Sequence, residues 1–282
     1  MIRGLYSAAS GMISLERRQE TLSHNLANIQ TPGFKKDDTV LQAFPKMLIE
    51  RINDFGGNVP AGIPRLPVQT PIGELANGVY AQERIPNFSQ GNIVQTQQPL
   101  DVAIADQDLA PQDVNGRQVK PAAFFAVQLP DGKIGYTRNG KWDVDANGHL
   151  VTSEGYLVLG ADQQPIQLND ITKEDLHISP TGEIKIKDRT AGQIGIALAN
   201  NPFQLKRVGA NVYQSDTPIP LAQGANPGIS LQQGYIEQSN VDPGQTMTDM
   251  MMVVRAYEAN QKVIGVYDRS LEQLYSVGKI NG

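Results

Sequence analysis

Apolar side chains recur every three to four residues at both ends of the chain, and this spacing predicts two amphipathic helices. In the first helix, residues 4 to 29 keep a heptad register that only Gln19 interrupts. The helix is expected to end near Gln30, because Pro32 disfavours helix in the residue before it. The apolar positions of this register are Leu5, Ala8, Met12, Leu15, Leu22, Leu26 and Ile29.

The second predicted helix covers residues 243 to 277, with Asp242 as N-cap and Pro243 in the first turn. At 1.5 Å per residue it would be about 50 Å long. Its apolar residues form two stripes about 100° apart, which is more than one partner helix requires. The first stripe contains Met247, Met250, Val254, Tyr257, Ile264, Leu271 and Tyr275, and the second contains Val253, Ala256, Val263, Tyr267, Leu274 and Val277.

The two stripes allow two interpretations. In the first, the helix is simply buried in the core of its own domain. In the second, one stripe packs on the N-terminal helix and the other packs on a neighbouring subunit. Two heptad helices at opposite ends of a chain with a glycine-rich middle favour the second interpretation.

The middle of the chain has the pattern of an antiparallel β-domain. Turn dipeptides such as Asn139-Gly140 and Asn147-Gly148 recur at intervals of about eight residues. Residues 183 to 187 alternate between apolar and charged, which predicts one solvent-facing side of a sheet. The predicted strands are 124–129, 134–138, 141–144, 150–152, 156–159, 176–179, 183–187, 193–199 and 212–215.

Two segments have the composition of loops. Residues 55 to 78 are rich in Pro and Gly, and residues 217 to 228 in Pro, Gly and Gln. A short helix is expected from Phe44 to Phe55. The fold class is therefore α+β, with paired, coiled-coil-like terminal helices and an inserted antiparallel β-rich domain. The expected domains are a helical assembly domain (1–35 and 240–282), a linker with a short helix (36–79) and a β-rich domain (80–239).

Composition excludes several function classes. The 282-residue chain has a net charge of −5 and no basic run, so neither nucleic acid nor an anionic membrane surface is an expected partner. It contains no cysteine, hence no disulfide and no thiol chemistry. The N-terminus lacks the pattern of a cleaved signal peptide, and no apolar stretch is long enough to insert into a membrane.

Candidate chemistry is sparse. The three histidines, His24, His149 and His177, do not have metal-ligand spacing, and no cofactor motif is present. The best catalytic candidate is a carboxylate pair of Asp143 with Asp145 or Glu154, the arrangement that a glycosidase uses. These residues are more typical of turns and strand edges. No catalytic residue, cofactor or metal is therefore expected.

Several short motifs follow one another along the chain: Leu5-Tyr6-Ser7-Ala8-Ala9-Ser10-Gly11-Met12, Ser23-His24-Asn25-Leu26-Ala27-Asn28, Thr31-Pro32-Gly33-Phe34-Lys35, Tyr136-Thr137-Arg138-Asn139-Gly140, Gly234-Tyr235-Ile236-Glu237-Gln238-Ser239-Asn240-Val241-Asp242 and Arg255-Ala256-Tyr257-Glu258-Ala259-Asn260-Gln261-Lys262. In this order they resemble the signatures of flagellar rod and hook proteins. They match rod proteins of the distal or proximal type best, in the form found in Gram-positive spore-formers. Two departures are His24, where the family usually has Asn, and a polar insert from Ala105 to Ala123. The terminal motif residues are Ser10, Gly11, Asn25, Leu26, Ala27, Asn28, Thr31, Pro32, Gly33, Phe34, Ser239, Asn240, Val241, Arg255, Ala256, Tyr257, Glu258 and Asn260.

The resemblance implies a structural subunit of the flagellar basal-body rod that polymerises into a torque-transmitting tube. It implies export by the flagellar type III apparatus without a cleaved signal, and assembly with itself and with other rod and hook proteins outside the cytoplasmic membrane. Two alternatives stay open: a secreted monomeric binding module, and a cell-wall glycosidase linked to the flagellum. The binding module would not need two heptad termini, and the glycosidase would need a carboxylate cleft, which the sequence does not show.

Overall fold

A computed structural model describes residues 2–44, 47–54, 68–75, 78–114, 116–168, 176–187, 189–209, 211–222 and 228–280. The chain divides into two compact units. The helical unit contains residues 1–23, 38–85 and 244–282, and the β unit contains residues 24–37 and 86–243. Each unit is therefore built from segments that are distant in sequence.

Among its described residues, the helical unit has two long helices and four strands. Its elements are α1 (Ile2–Ala27), β1 (Asp37–Ala43), β2 (Met47–Asp54), β3 (Val68–Leu75), β4 (Val79–Pro86) and α2 (Pro243–Ile280). The two predicted terminal helices are confirmed. Helix α1 begins two residues earlier than predicted and ends at Ala27, before the predicted end near Gln30, while α2 continues past residue 277 to Ile280. The described residues contain no helix that is both long and apolar enough to cross a membrane.

The two helices run antiparallel where they meet. Gly4 of α1 lies against the Tyr267 ring, and a Cβ added to Gly11 would lie 3.1 Å from the side-chain nitrogen (Nδ2) of Asn260. Moving seven residues forward along α1 thus corresponds to moving seven residues back along α2. Small residues in α1 give the long side chains of α2 room to approach its backbone.

Strands β1 and β4 form a two-stranded antiparallel sheet beside α1. Ser14 donates a hydrogen bond to the Val79 carbonyl (3.1 Å), and the hydroxyls of Thr39 and Thr21 lie 2.8 Å apart. Polar side chains of α1 therefore attach it to this sheet, which leaves its apolar positions available for other contacts.

The prediction of a short helix from Phe44 to Phe55 is wrong. Residues Met47–Asp54 form β2, which pairs antiparallel with β3 (Val68–Leu75). Non-local pairing with a strand about twenty residues away overrides the helical tendency that Met, Leu and Glu give this segment. The strand β3 also lies inside the segment expected to be a loop. The rest of that expectation, residues 55–67 and 76–77, falls outside the described residues.

In the part of the β unit that the structure describes, the elements are the remaining strands and the 3₁₀ turn Pro202–Gln204. The strands are β5 (Ile93–Gln95), β6 (Val102–Ala105), β7 (Gln112–Val114), β8 (Arg117–Val119), β9 (Ala122–Gln128), β10 (Ile134–Thr137), β11 (Trp142–Val144), β12 (Leu150–Thr152), β13 (Leu157–Val158), β14 (Leu176–Ile178), β15 (Glu183–Ile186), β16 (Arg189–Gln193), β17 (Ile196–Ala199), β18 (Lys206–Arg207), β19 (Val212–Gln214), β20 (Leu221–Ala222), β21 (Ser230–Gln233) and β22 (Tyr235–Glu237).

The largest sheet has nine strands, centred on β9. One edge of β9 pairs with β10, and the other edge is shared by β13 and β17, all antiparallel. Successive side chains of a strand point to opposite faces. Phe125 and Val127 therefore join one apolar cluster and Phe124 the other. The antiparallel β-rich middle is thus confirmed.

Two further strands bring distant segments of the β unit together. Strand β21 pairs with β6, and β22 pairs with β5, both antiparallel. The last strands before α2 therefore lie beside the first strands of the β unit. The polar insert from Ala105 to Ala123 contains the small hairpin of β7 and β8. The predicted loop from Thr217 to Gly228 contains β20, and its residues 223–227 fall outside the described residues.

Candidate assembly site

The predicted interface residues of α1 form a partly covered face. Ala8 is buried, and a glutamine, Gln19, is exposed between the apolar positions. The other predicted positions are half-buried: Leu5, Met12, Leu15, Leu22 and Leu26 within α1, and Ile29 in the turn that follows its end at Ala27. Two apolar side chains on the opposite side, Tyr6 and Ile13, are largely exposed.

The predicted residues of α2 divide into covered and exposed groups. Val253 is buried, while Met250, Val254, Tyr257, Ile264 and Tyr267 are half-buried. Val263, Leu271 and Leu274 are exposed. The covered face contains members of both stripes that the sequence suggests, because Tyr257 and Ile264 come from the first stripe and Tyr267 from the second.

A second apolar line along α2 remains open to solvent. It follows the spacing of three and four residues that keeps side chains on one helix face. We call it the lateral line, and it consists of Met252, Ala256, Ala259, Val263 and Val266, all exposed. The described part of the chain thus leaves an apolar line of five residues uncovered along this helix.

The motif residues at the start of α1 serve its packing within the helical unit. Ser10 accepts a hydrogen bond from the Val79 amide (3.4 Å), and its hydroxyl occupies the space that a side chain at Gly78 would need. Gly11 lies against Asn260, another motif residue. Ser10 and Gly11 therefore stand where α1 makes close contacts with its neighbours.

The motif residues after α1 and before α2 meet in the β unit, at what we call the junction (residues 24–37 and 237–241). The Gly33 amide donates to the Glu237 carbonyl (2.7 Å), and the Lys36 amide donates to the Asn240 side chain (2.8 Å). The Asn25 side chain donates to the Asp37 carbonyl (2.8 Å) and accepts from its amide (2.9 Å). The segment that follows α1 and the segment that precedes α2 are thus held side by side.

Four fully buried charges lie at the centre of the junction: Lys35, Asp106, Arg138 and Glu237. The Lys35 ammonium donates to one carboxylate oxygen of Glu237 (2.5 Å), and Arg138 donates to the other (3.3 Å). Arg138 also forms an ion pair with Asp106. Two cations and two anions give the network no net charge, which is the condition under which buried charges are tolerated.

The network is completed by backbone groups. Glu237 accepts from the Gly91 amide (2.8 Å), Lys35 donates to the Ser89 carbonyl (2.8 Å), and Asp106 accepts from the Ala123 amide (3.2 Å). Burial, and after it the Arg138 guanidinium, lowers the pKa of Lys35 to about 8, although Glu237 acts in the opposite direction. The cost of burying the ammonium is therefore only partly offset by its partner.

Aromatic rings surround the same segment. The Arg207 guanidinium lies 5.0 Å from the ring centre of Phe34 and 5.4 Å from that of Tyr213. It also donates to the Asp37 carboxylate (2.7 Å) and to the Tyr213 hydroxyl (2.9 Å). The unusual His24 contacts Phe34 edge-on, with ring centres 5.5 Å apart. Phe34 is thus fixed in a socket of cationic and aromatic groups.

Sequence reasoning assigned the four network charges no role. Lys35, Arg138 and Glu237 stand in motif stretches, but each looks there like an ordinary surface charge. The signal that could have identified them is a charged residue placed between apolar or small neighbours, as in Gly33-Phe34-Lys35. Asp106 gave no such signal, because it belongs to the polar insert.

The suggested catalytic carboxylates accept hydrogen bonds from groups near them in the sequence, and Asp143 accepts from the Val144 amide (2.9 Å). Asp145 accepts from the amides of His149 (2.7 Å) and Asn147 (2.9 Å), and the first of these bonds contributes most to lowering its pKa. Glu154 accepts from the Asn139 side chain (3.2 Å). Among the described residues, no group of three or more His, Asp or Glu could hold a metal ion.

Comparison with known families matches three stretches of the chain. Residues 5–35 match the flagella basal body rod protein family, and residues 118–186 match the D1 domain of the flagellar hook proteins FlgE/F/G. Residues 232–277 match the C-terminal domain of the flagellar basal body rod FlgEFG proteins.

Curated relatives match over almost their whole length. The flagellar hook-basal body complex protein FlhO of Bacillus subtilis is 39% identical, over 99% of this chain and 100% of that protein. The flagellar basal-body rod protein FlgG of Caulobacter vibrioides is 33% identical, over 96% and 97% respectively. The chain belongs to the flagellar basal-body rod and hook protein family. As a member of this family, it is a structural subunit of the flagellum.

The family matches include three of the four network charges. Lys35 ends the first matched stretch, Arg138 lies in the second and Glu237 in the third. Asp106 lies outside all three. The three matched stretches therefore meet at one buried site, and Asp106, which lies between the first and the second stretch, contributes the remaining carboxylate.

Proposed function

We propose that this chain polymerises through α1 and α2 into the axial tube of the flagellar basal-body rod, which transmits torque and conducts exported subunits. The observation that carries the proposal is the lateral line of α2, an apolar surface that the chain leaves exposed. A monomeric protein gains nothing from such a line, whereas a polymer buries it.

The assembly domain is assigned to residues 1–35 and 240–282, with residues 36–79 as the linking segment and residues 80–239 as the β-rich domain. We expect α1 and α2 to pair as a coiled coil, which the heptad spacing and the Gly4 and Gly11 contacts support. The covered face of α2 packs on α1 in this pair, and the lateral line contacts a neighbouring subunit. An interface between two different surfaces generates an open helical polymer.

The expected partners are copies of this chain and other rod and hook proteins. Export by the flagellar type III apparatus without a cleaved signal, followed by assembly outside the cytoplasmic membrane, fits the names of its relatives. We propose no catalytic role. Neither a cell-wall glycosidase nor a secreted binding module is favoured by a particular feature of the described residues.

The test is a charge placed on the lateral line. Val263→Glu is expected to leave the β unit folded and secretion normal, but to abolish swimming, because burying an unpaired charge at a subunit contact costs several kcal/mol. Gln261→Glu is the matched control: it adds the same charge two residues away, at an exposed polar position, and should swim normally.

A second variant separates assembly from folding. Ile264→Glu places the charge on the covered face and should also weaken the α1–α2 pair, which lowers the helical circular dichroism of the free monomer. Swimming, secretion and melting curves are measured for all three strains. Normal swimming by Val263→Glu would mean that the lateral line faces water, and polymerisation through it would be wrong.

A further inference from the structure

The end of α2 extends beyond α1. The contact of Gly4 with Tyr267 places the start of α1 level with this part of α2. Every residue of α2 from Leu271 to Lys279 is exposed. We call this part, from Leu271 to Ile280, the overhang; it is about 15 Å long at 1.5 Å per residue.

The overhang is apolar on one face. Leu271, Leu274 and Tyr275 have the spacing of one helix face, and the last two are 52% and 74% exposed. Leu271 is one heptad after Ile264 and Leu274 one heptad after Tyr267, both of which are half-buried upstream. The covered face of α2 therefore continues into the overhang, where α1 no longer reaches it.

A second unpartnered apolar face lies on the outer side of α1. Tyr6 and Ile13 are one heptad apart and are 66% and 60% exposed, with Ala9 between them. This outer face is about 10 Å long from Tyr6 to Ile13, which is close to the length of the apolar part of the overhang. It lies on the side of α1 opposite to Leu15 and Leu22, so it stays free when the two helices pair.

We propose that the overhang of one copy packs on the outer face of α1 in a second copy. The proposal rests on the polymerising function above and specifies one of its contacts. The surface upstream of the overhang already binds an α1 helix, and a second copy offers an α1 helix with a free apolar face. Copies that point the same way bring the overhang antiparallel to the neighbouring α1, as in the pair within one chain.

This contact joins two different surfaces, so after two copies bind, one copy still has a free outer face and the other a free overhang. Such a contact extends without limit instead of closing into a dimer. Two overhangs that paired with each other would instead close after two copies. The proposal therefore predicts which residues can be cross-linked and how many copies the cross-links join.

Because the chain has no cysteine, disulfide cross-linking can test the contact directly. Within one copy, Ile13 lies level with about residue 258 of α2, so Leu274 is about 24 Å further along the helix. A disulfide requires Cα atoms within about 7 Å, so a 13–274 bond can form only between copies. The full-length variant Ile13→Cys/Leu274→Cys should form a ladder of covalent multimers on oxidation.

Single variants test the pairing. A mixture of Ile13→Cys and Leu274→Cys proteins should give a covalent dimer that contains one of each. The variant Ile13→Cys/Gln273→Cys is the matched control, because Gln273 is equally exposed but points away from the apolar face of the overhang. Its yield of cross-linked product should be at least several-fold lower.

The outcomes separate the two proposals. If the cysteine-free chain self-associates by light scattering but no 13–274 bond forms, the proposed contact is wrong and polymerisation stands. Efficient dimers from Leu274→Cys alone would show that overhangs pair with each other, which also contradicts the contact. A chain that stays monomeric at every concentration reached would overturn both proposals.

Discussion

The Lys35 ammonium lies 2.5 Å from a carboxylate oxygen of Glu237, although 202 residues separate the two in sequence and both side chains are 1% exposed. Lys35 follows α1 closely, and Glu237 precedes α2. The ion pair therefore joins the segment after α1 to the segment before α2, inside the β unit. Because the pair is buried together with Arg138 and Asp106, the loss of one charge leaves the others uncompensated.

Glu237→Gln should destabilise the β unit strongly. It leaves the two cations Lys35 and Arg138 with only Asp106 as an anion, and an uncompensated buried charge costs about 3–5 kcal/mol. The measurement is urea unfolding followed by the fluorescence of Trp142, the single tryptophan, which is buried in the β unit.

Two controls accompany this variant. Asp131→Asn removes an exposed ion pair with Lys133 and should cost less than about 1 kcal/mol. The double variant Lys35→Met/Glu237→Gln restores neutrality, so it should be more stable than Glu237→Gln alone. If the double variant were the less stable of the two, charge balance would not explain the network.

The lowered pKa of Lys35 predicts a pH dependence of stability. The pKa of Lys35 is about 8 in the folded protein and ordinarily 10.5. Between these values the unfolded chain binds the proton and the folded protein does not, so the contribution of Lys35 to the free energy of unfolding increases with pH. The increase should be at most about 3 kcal/mol and absent below the lower pKa.

The comparison with Lys35→Met isolates this effect, because the other titrating groups remain in both proteins. Unfolding free energies are measured from about pH 7 to about pH 11 for each protein and subtracted. We expect the unfolding free energy of the unmodified protein to increase relative to that of Lys35→Met as pH increases. A difference that stays constant over this range would mean that folding does not lower the pKa of Lys35.

The sequence alone predicts those parts of the fold that depend on local patterns. The heptads around Leu15 and Tyr257 predict both helices within a few residues, and turns such as Asn147-Gly148 locate the hairpins of the β unit. The β2 strand was missed because its pairing with β3 is non-local. The junction was missed for the same reason, since no periodicity relates Lys35 to Glu237.

The turn after α1 depends on Gly33. Its φ of +68° lies in the left-handed region, and a Cβ there would collide with the Arg138 backbone. Gly33→Ala should therefore lower the free energy of unfolding for two reasons. The backbone conformation becomes strained, by about 1–2 kcal/mol, and the segment must move away from Arg138. The measurement is the free energy of unfolding. Near-ultraviolet circular dichroism, which reports on the packing of aromatic rings such as Phe34 and Tyr213, is a second readout.

Gly132→Ala is the matched control for Gly33→Ala. Gly132 has a similar φ of +79°, but a Cβ there would meet nothing within 4 Å. Gly132→Ala should therefore lower the free energy of unfolding through the conformational strain alone. If both variants lost the same free energy of unfolding, the close approach of Gly33 to Arg138 would not contribute to the effect of Gly33→Ala.

The overhang of α2 should be the least stable part of that helix in the free monomer. A helix without a packed face is marginal in water, and the residues from Leu271 onward have no face covered by α1. We expect fast amide hydrogen exchange from Leu271 to Ile280 and slower exchange around Val253, which is buried. Assembly should slow exchange in the overhang more than in the covered part, because only the overhang gains its first partner there.

Gly278→Ala distinguishes intrinsic fraying from a specific fold of the overhang. A Cβ at Gly278 meets nothing within 4 Å, so the substitution changes only helix propensity, by about 1 kcal/mol. If the overhang frays as a simple helix end, the variant should slow its exchange in the monomer and leave exchange around Val253 unchanged. Strong protection of Leu274 and Tyr275 in a dilute, strictly monomeric sample of the unmodified chain would contradict an unpartnered overhang, because protection requires a face that is already packed.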